Sequence, residues 1–167
     1  MRSAKVLMYV GVVLLMGLAF ALSGCGGMGS GSGSVNIVGD KASPNDLESF
    51  IDSHKGKVVV AVLFKIDVPD CAAALQHLVS LQGKYQESQV AFVGVSLDAD
   101  KEALRSYLSE NEVYFPVMMI QAFADMADSV PIASLVDKEG NTENTYEGLA
   151  EIQTMDTDVD YQVNQEQ

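Results

Sequence analysis

A chain of 167 residues with 23 acidic and 10 basic side chains carries a formal net charge of −13. That charge repels nucleic acid and anionic lipid head groups, so neither is an electrostatic partner; a solvated acidic surface is the ordinary meaning of such a balance. The length allows one domain with a core of its own.

At the N-terminus Arg2 and Lys5 precede a stretch without charge from Val6 to Leu22, and Leu22-Ser23-Gly24-Cys25 follows with small residues before the cysteine. This order resembles a bacterial lipoprotein signal. The resemblance implies that residues 1–24 are removed and that Cys25 is acylated, tying the protein to a membrane. The removed segment holds two basic and no acidic side chains, so the charge goes from −13 to −15. An uncleaved anchor helix is the competing reading, because the stretch sits at the lower edge of membrane-spanning length. Both place the domain outside the cytoplasm, lipid-anchored or membrane-held in a bacterial cell envelope, on the periplasmic or outer surface. Residues 25–34, rich in Gly and Ser, read as a flexible tether. With Cys25 carrying lipid, Cys71 is the one remaining thiol of two, which excludes an internal disulfide framework.

Val35-Asn36-Ile37-Val38 alternates like a short strand. Ser43-Pro44-Asn45-Asp46 starts a helix, with Ser as N-cap, Pro in the first position and an acid three residues on. Leu47, Phe50 and Ile51 give it an inward face, and Lys55-Gly56-Lys57 closes it. Val58 to Phe64 is uninterruptedly apolar, too short to span a membrane and rich in β-branched types, which predicts a strand buried on both faces. Asp67-Val68-Pro69-Asp70 opens the next helix. Asp67 suits the N-cap, Pro69 is tolerated in the first turn, and Asp70 favours the positive end of the dipole. Leu75, Leu78, Val79 and Leu81 carry the helical spacing to about Tyr85.

Val90 to Leu97 is a second buried strand. Asp98 or Asp100 caps a helix with Leu104, Tyr107 and Leu108 facing inward. Pro116 to Ile120 is a third strand, with a short helix over Ala122 to Ala127. Val130-Pro131 stands directly before the apolar strand Ile132 to Val136. Lys138-Glu139-Gly140-Asn141 is a hairpin turn, and Thr142 to Tyr146 returns. Leu149 to Met155 forms a last helix. Residues 152–167 read as an acidic, disordered tail, since Asp156, Asp158 and Asp160 crowd it and no base offsets them.

The order βαβαβα, then a β-hairpin and a helix, resembles the thioredoxin-like superfamily, in particular membrane-anchored bacterial thioredoxins and redoxins. It implies an α/β fold with a central mixed β-sheet flanked by helices, spanning residues 35–151. On the family's Cys-x-x-Cys motif Cys71 falls at the second cysteine and Val68 at the first. Pro69 and Asp70 lie between them, and Asp67 stands where the family has Trp. Val130-Pro131 falls at the family's cis-proline; Leu135 to Gly140 and Gly148 match its strand, turn and closing glycine. The resemblance thus implies a degenerate motif: the attacking thiol is replaced by valine, and Cys71 keeps the inner, resolving position. It also implies a groove at Asp67, Val130 and Pro131 that takes an extended peptide by strand addition.

Disulfide exchange needs one thiolate to attack and a second thiol to resolve. With Val68 in the first place, the chain reads as a binding module that has lost exchange chemistry. The alternative is a monothiol oxidoreductase using Cys71 as its catalytic thiol. Asp67 and Asp70 disfavour a thiolate, the helix N-terminus favours one, and Ala61, Val62 and Leu63 supply no proton carrier. A buried structural cysteine is the simpler account. His54 and His77 read as solvated helix histidines without metal-ligand spacing, and Lys65 pairs with Asp67 at the surface. Asp156, Asp158 and Asp160 alternate as in a calcium loop but lack its Gly and terminal Glu. No cofactor and no metal are therefore expected. The expected partners are a membrane, through lipidated Cys25, and a protein or peptide at the cis-proline groove.

Overall fold

The computed structural model describes residues 34–165. The segment expected to be a signal, Cys25 and nearly all of the expected Gly/Ser tether lie outside the described residues.

Six strands form one mixed sheet in the order β1-β4-β3-β2-β5-β6. They are β1 (Ile37–Gly39), β2 (Val58–Phe64), β3 (Val90–Ser96), β4 (Val117–Met119), β5 (Ile132–Val136) and β6 (Thr142–Glu147). β1, β4, β3 and β2 run parallel, and β5 and β6 complete the sheet antiparallel to their neighbours. The helices α1 (Pro44–Ser53), α2 (Pro69–Gln82), α3 (Lys101–Glu110), α4 (Leu149–Ile152) and α5 (Asp156–Asn164) flank it, with a 3-10 turn at Gln121–Met126. The expected order of strands and helices is the one found as far as α4, and α5 is additional.

β2 is the axis of the sheet because all seven of its residues are apolar and buried. It pairs with β3 along its whole length and with β5 on the other side. Packing around it leaves little slack. A Cβ on Gly94 of β3 would lie 3.1 Å from the Phe64 ring and 3.0 Å from a Val117 methyl, so only glycine lets these neighbours close. Asp46 accepts from the Ser43 N–H and hydroxyl, each at 2.7 Å, which closes the start of α1 as its sequence implies. Leu47, Phe50 and Ile51 are half-buried against the core. At the hairpin, Gly140 takes φ +94°. Asp137 holds the turn by accepting from the backbone N–H groups of Glu139 at 2.9 Å and Asn141 at 2.7 Å.

The C-terminal segment differs from expectation. Residues 156–164 are helical, and Met155 and Val159 are fully buried beside Ile152. The acids that suggested disorder are the means of docking. Asp156 pairs with Lys84 and lies 2.9 Å from His77 Nε2. Asp160 accepts from the Tyr85 hydroxyl, and Asp158 accepts from the Tyr146 hydroxyl at 2.6 Å. His77 is thus half-buried against Asp156, not solvated as its position suggested.

Burial works against the Asp156 carboxylate, yet its bonds to Lys84 and the His77 contact win and hold its pKa below the ordinary aspartate range. A depressed folded-state pKa gives stability that is present above the unfolded value of about 3.9 and is lost as pH falls through the folded value. The unfolding midpoint is therefore expected to drop as pH is lowered below about 4, and Asp156→Asn to flatten that drop. Parallel pH–denaturation curves for the two proteins check this.

Candidate functional site

Phe64 ends β2, and the chain turns through Lys65, Ile66 and Asp67 into α2. Val68 is the N-cap in extended conformation, Pro69 is the first helical residue and Cys71 the third. Asp67, expected as the cap, is not. Its carboxylate is drawn instead to the Lys65 ammonium at 2.6 Å, and the helix starts one residue later with no side-chain cap. Proline at the first position, with no N–H to satisfy, makes an uncapped start cheaper. Val68 is half-buried against the core; Asp67, Pro69 and Asp70 are exposed.

Cys71 has no accessible surface. Its Sγ accepts from the Lys65 N–H at 3.5 Å. Burial pushes the thiol up to about 11, against the pull of that N–H, and the charges of Asp98, Asp70 and Asp67 add to the rise. A helix N-terminus lowers a thiol pKa when the sulfur is open to water. Here desolvation outweighs it.

Asp98 is the site residue that the sequence did not reveal. It was a candidate cap for α3, but Asp100 takes that role by accepting from the Glu102 and Ala103 N–H groups at 3.0 Å. Asp98 is only 8% exposed. It accepts from the Ile66 N–H at 3.1 Å and the Ser96 hydroxyl at 2.8 Å, so it ties the turn after β2 to the end of β3. The Gln121 amide donates to the Leu97 and Asp98 carbonyls, at 3.1 and 2.6 Å. Tyr107 of α3 brings a buried hydroxyl that has no hydrogen-bond partner among the described residues. Burial, together with the facing Cys71 and Asp98, pushes that hydroxyl up to about 12. VAFVGVSLD, an apolar run that closes on Ser-Leu-Asp, marks a strand and its end. It carries no sign that its last acid bonds to a turn some 30 positions earlier.

The Val130-Pro131 peptide bond is cis, and both residues are buried. Leu63 pairs with Ile132, so this peptide lies just beyond the last rung of the β2–β5 ladder, at the end of the sheet where β2 turns into α2. The Pro131 carbonyl accepts from the Gly148 N–H at 2.8 Å. The N–H and C=O of Val130 have no hydrogen-bond partner among the described residues. Asp67, Val68, Pro69, Asp70, Cys71, Val130 and Pro131 are thus gathered at one end of the sheet. His54 is elsewhere, stacked on Phe50 with ring centroids 4.1 Å apart. Among the described residues no group of three or more His, Cys, Asp or Glu is arranged to hold a metal ion.

No family model matches the chain, and no curated protein matches it. Solved structures do. A thiol-disulfide isomerase from Corynebacterium glutamicum superposes with a TM-score of 0.56 at 18% identity, over 69% of this chain and 86% of that one. A thioredoxin-family thiol:disulfide interchange protein from Chlorobium tepidum TLS gives 0.58 at 23%, over 68% and 84%. The thioredoxin domain of a thiol-disulfide oxidoreductase from Bacteroides vulgatus gives 0.57 at 19%, again over 68% and 84%. The fold is thioredoxin-like. Within this thioredoxin-like frame the end of the sheet holds one inaccessible, protonated thiol, a buried carboxylate spent on backbone and hydroxyl bonds, and an unpaired backbone segment at Val130. Such an arrangement leaves the thiol poorly placed to attack a disulfide.

Proposed function

We propose that this is a membrane-tethered, extracytoplasmic lipoprotein whose thioredoxin-like domain is redox-degenerate and binds a protein or peptide. The observation that carries the reading is Cys71, a thiol without accessible surface and with a pKa near 11, behind a valine at the helix cap. Val68 stands where the motif's attacking cysteine belongs, Pro69 and Asp70 are its middle residues, and Cys71 is left without a partner. The unpaired backbone of Val130 beside Pro131 and Asp67 supports a peptide groove. The test is insulin reduction by wild type, Cys71→Ala and Val68→Cys side by side. Wild type is expected to match Cys71→Ala at background. Val68→Cys regains an oxidisable Cys-x-x-Cys pair and weak turnover. Robust wild-type turnover that depends on Cys71 would sink the reading.

One observation favours the alternative of a monothiol oxidoreductase. The Lys65 N–H at 3.5 Å from Cys71 Sγ stabilises a thiolate once formed. That enzyme would pass through a mixed disulfide with glutathione or a partner protein, so mass spectrometry after incubation with oxidised glutathione separates the two.

Membrane tethering rests on the order of basic residues, uncharged stretch and Leu22-Ser23-Gly24-Cys25. Cys25→Ser is expected to leave the protein unprocessed and without lipid, and the wild-type mature N-terminus to carry an acyl mass. An unmodified Cys25 in the wild type rules the tether out.

A further inference from the structure

The surroundings of Val130 are acidic, and the acids come from several segments. Asp67 and Asp70 stand exposed on either side of Val68 and Pro69, and Asp128 stands exposed two residues before Val130. Asp98 closes the same turn from β3. The facing cation is Lys65. Its hydrogen bond to Asp67 holds its ammonium above the ordinary lysine range, and the charges of Asp67, Asp98 and Asp128 add to the effect. Three carboxylates, Asp67, Asp98 and Asp128, therefore act on one ammonium, which Asp67 already holds. Asp70 and Asp128 have no side-chain partner among the described residues. Asp70 stands in the first turn of α2, where the helix dipole favours an acid, whereas nothing among the described residues uses the charge of Asp128, and like charges gathered together repel.

Building on the groove reading above, we infer that the partner is a basic, extended protein segment, with its backbone on the free N–H and C=O of Val130 and its lysines or arginines on Asp67, Asp70 and Asp128. An extended chain sends alternate side chains to the same side, so cations two residues apart reach this rim together. An acidic or phosphorylated segment is repelled from it. Exposed ion pairs are individually weak, and several acting together change affinity by about tenfold and quicken encounter.

The experiment uses the full-length protein in an uncharged detergent and three labelled ten-residue peptides that alternate Val with Lys, Gln or Glu. Fluorescence anisotropy gives affinity, and amide hydrogen exchange reports on Val130. The Lys peptide is expected to bind about tenfold tighter than the Gln peptide, the Glu peptide not at all. Raising salt weakens the Lys peptide severalfold, and Asp70→Asn/Asp128→Asn brings it to the level of the Gln peptide. The Val130 amide gains protection in the complex. Equal affinity for the Lys and Gln peptides, with Val130 protected in both, overturns the charge inference and leaves the groove standing. Lys-peptide binding that leaves Val130 exchanging freely overturns the groove reading and reduces the attraction to a diffuse surface effect. Binding of no peptide at millimolar concentration overturns both.

Discussion

In the Cys25→Ser chain, where Cys71 is the sole thiol, an aromatic disulfide reagent is expected to react at least about a hundredfold more slowly with native protein than with unfolded protein. The reacting species is the thiolate. At pH 7 a thiol near 11 is ionised at roughly one part in ten thousand, whereas an exposed thiol near 8.5 is ionised at a few per cent. That ratio alone is roughly three-hundredfold, and the lack of any accessible surface on Cys71 adds to it. The native rate is expected to climb about tenfold per pH unit toward pH 10, because each step multiplies the thiolate fraction by that factor. Comparable native and unfolded rates at pH 7 would show a usable thiol and restore the monothiol enzyme.

Ending the chain after Thr154 is expected to cost about 5 kcal/mol of stability. Met155 and Val159 are fully buried, and removing a side chain of this kind from a core costs about 1.5–3 kcal/mol in transfer alone. The contacts of Asp156, Asp158 and Asp160 with Lys84, Tyr146 and Tyr85 go with them. A domain of this size has about 5–15 kcal/mol in total, so the truncated chain is expected to melt at a much lower urea midpoint or to fail to fold. The single variant Met155→Ala, at about 2–5 kcal/mol, gives the same answer in a protein that still folds. A midpoint that ignores both changes would return this segment to the status of a loose tail.

What the sequence reveals and what it hides divide along one physical line. β2 and β5 were legible to the residue, because an apolar β-branched run between turn residues depends only on neighbours in the chain. The capping box at Ser43 and Asp46 was legible for the same reason. The last helix was not. Its apolar anchors, Met155 and Val159, are outnumbered by acids whose partners Lys84, Tyr85 and His77 lie some 70 to 80 positions away. Asp67 and Asp98 were both open to a reading as caps, and both are spent on contacts inside the site, Asp67 with Lys65 and Asp98 with Ile66 and Ser96. A carboxylate announces that it will accept hydrogen bonds, but not from whom.

The bonds that Asp98 and Gln121 make have a consequence for timing. The turn after β2, the end of β3 and the 3-10 turn that leads toward Val130 are joined by them into one body. Each loop residue that must be frozen at the moment of capture costs about 1–2 kcal/mol of backbone freedom. Here that freedom is surrendered when the chain folds, before any partner arrives. On the peptide-binding function proposed above, encounter with this end of the molecule then has no slow rearrangement to wait for. The association rate is set by orientation, at about 10⁵–10⁷ M⁻¹s⁻¹ for an uncharged approach, and the duration of the complex by how well the two surfaces fit.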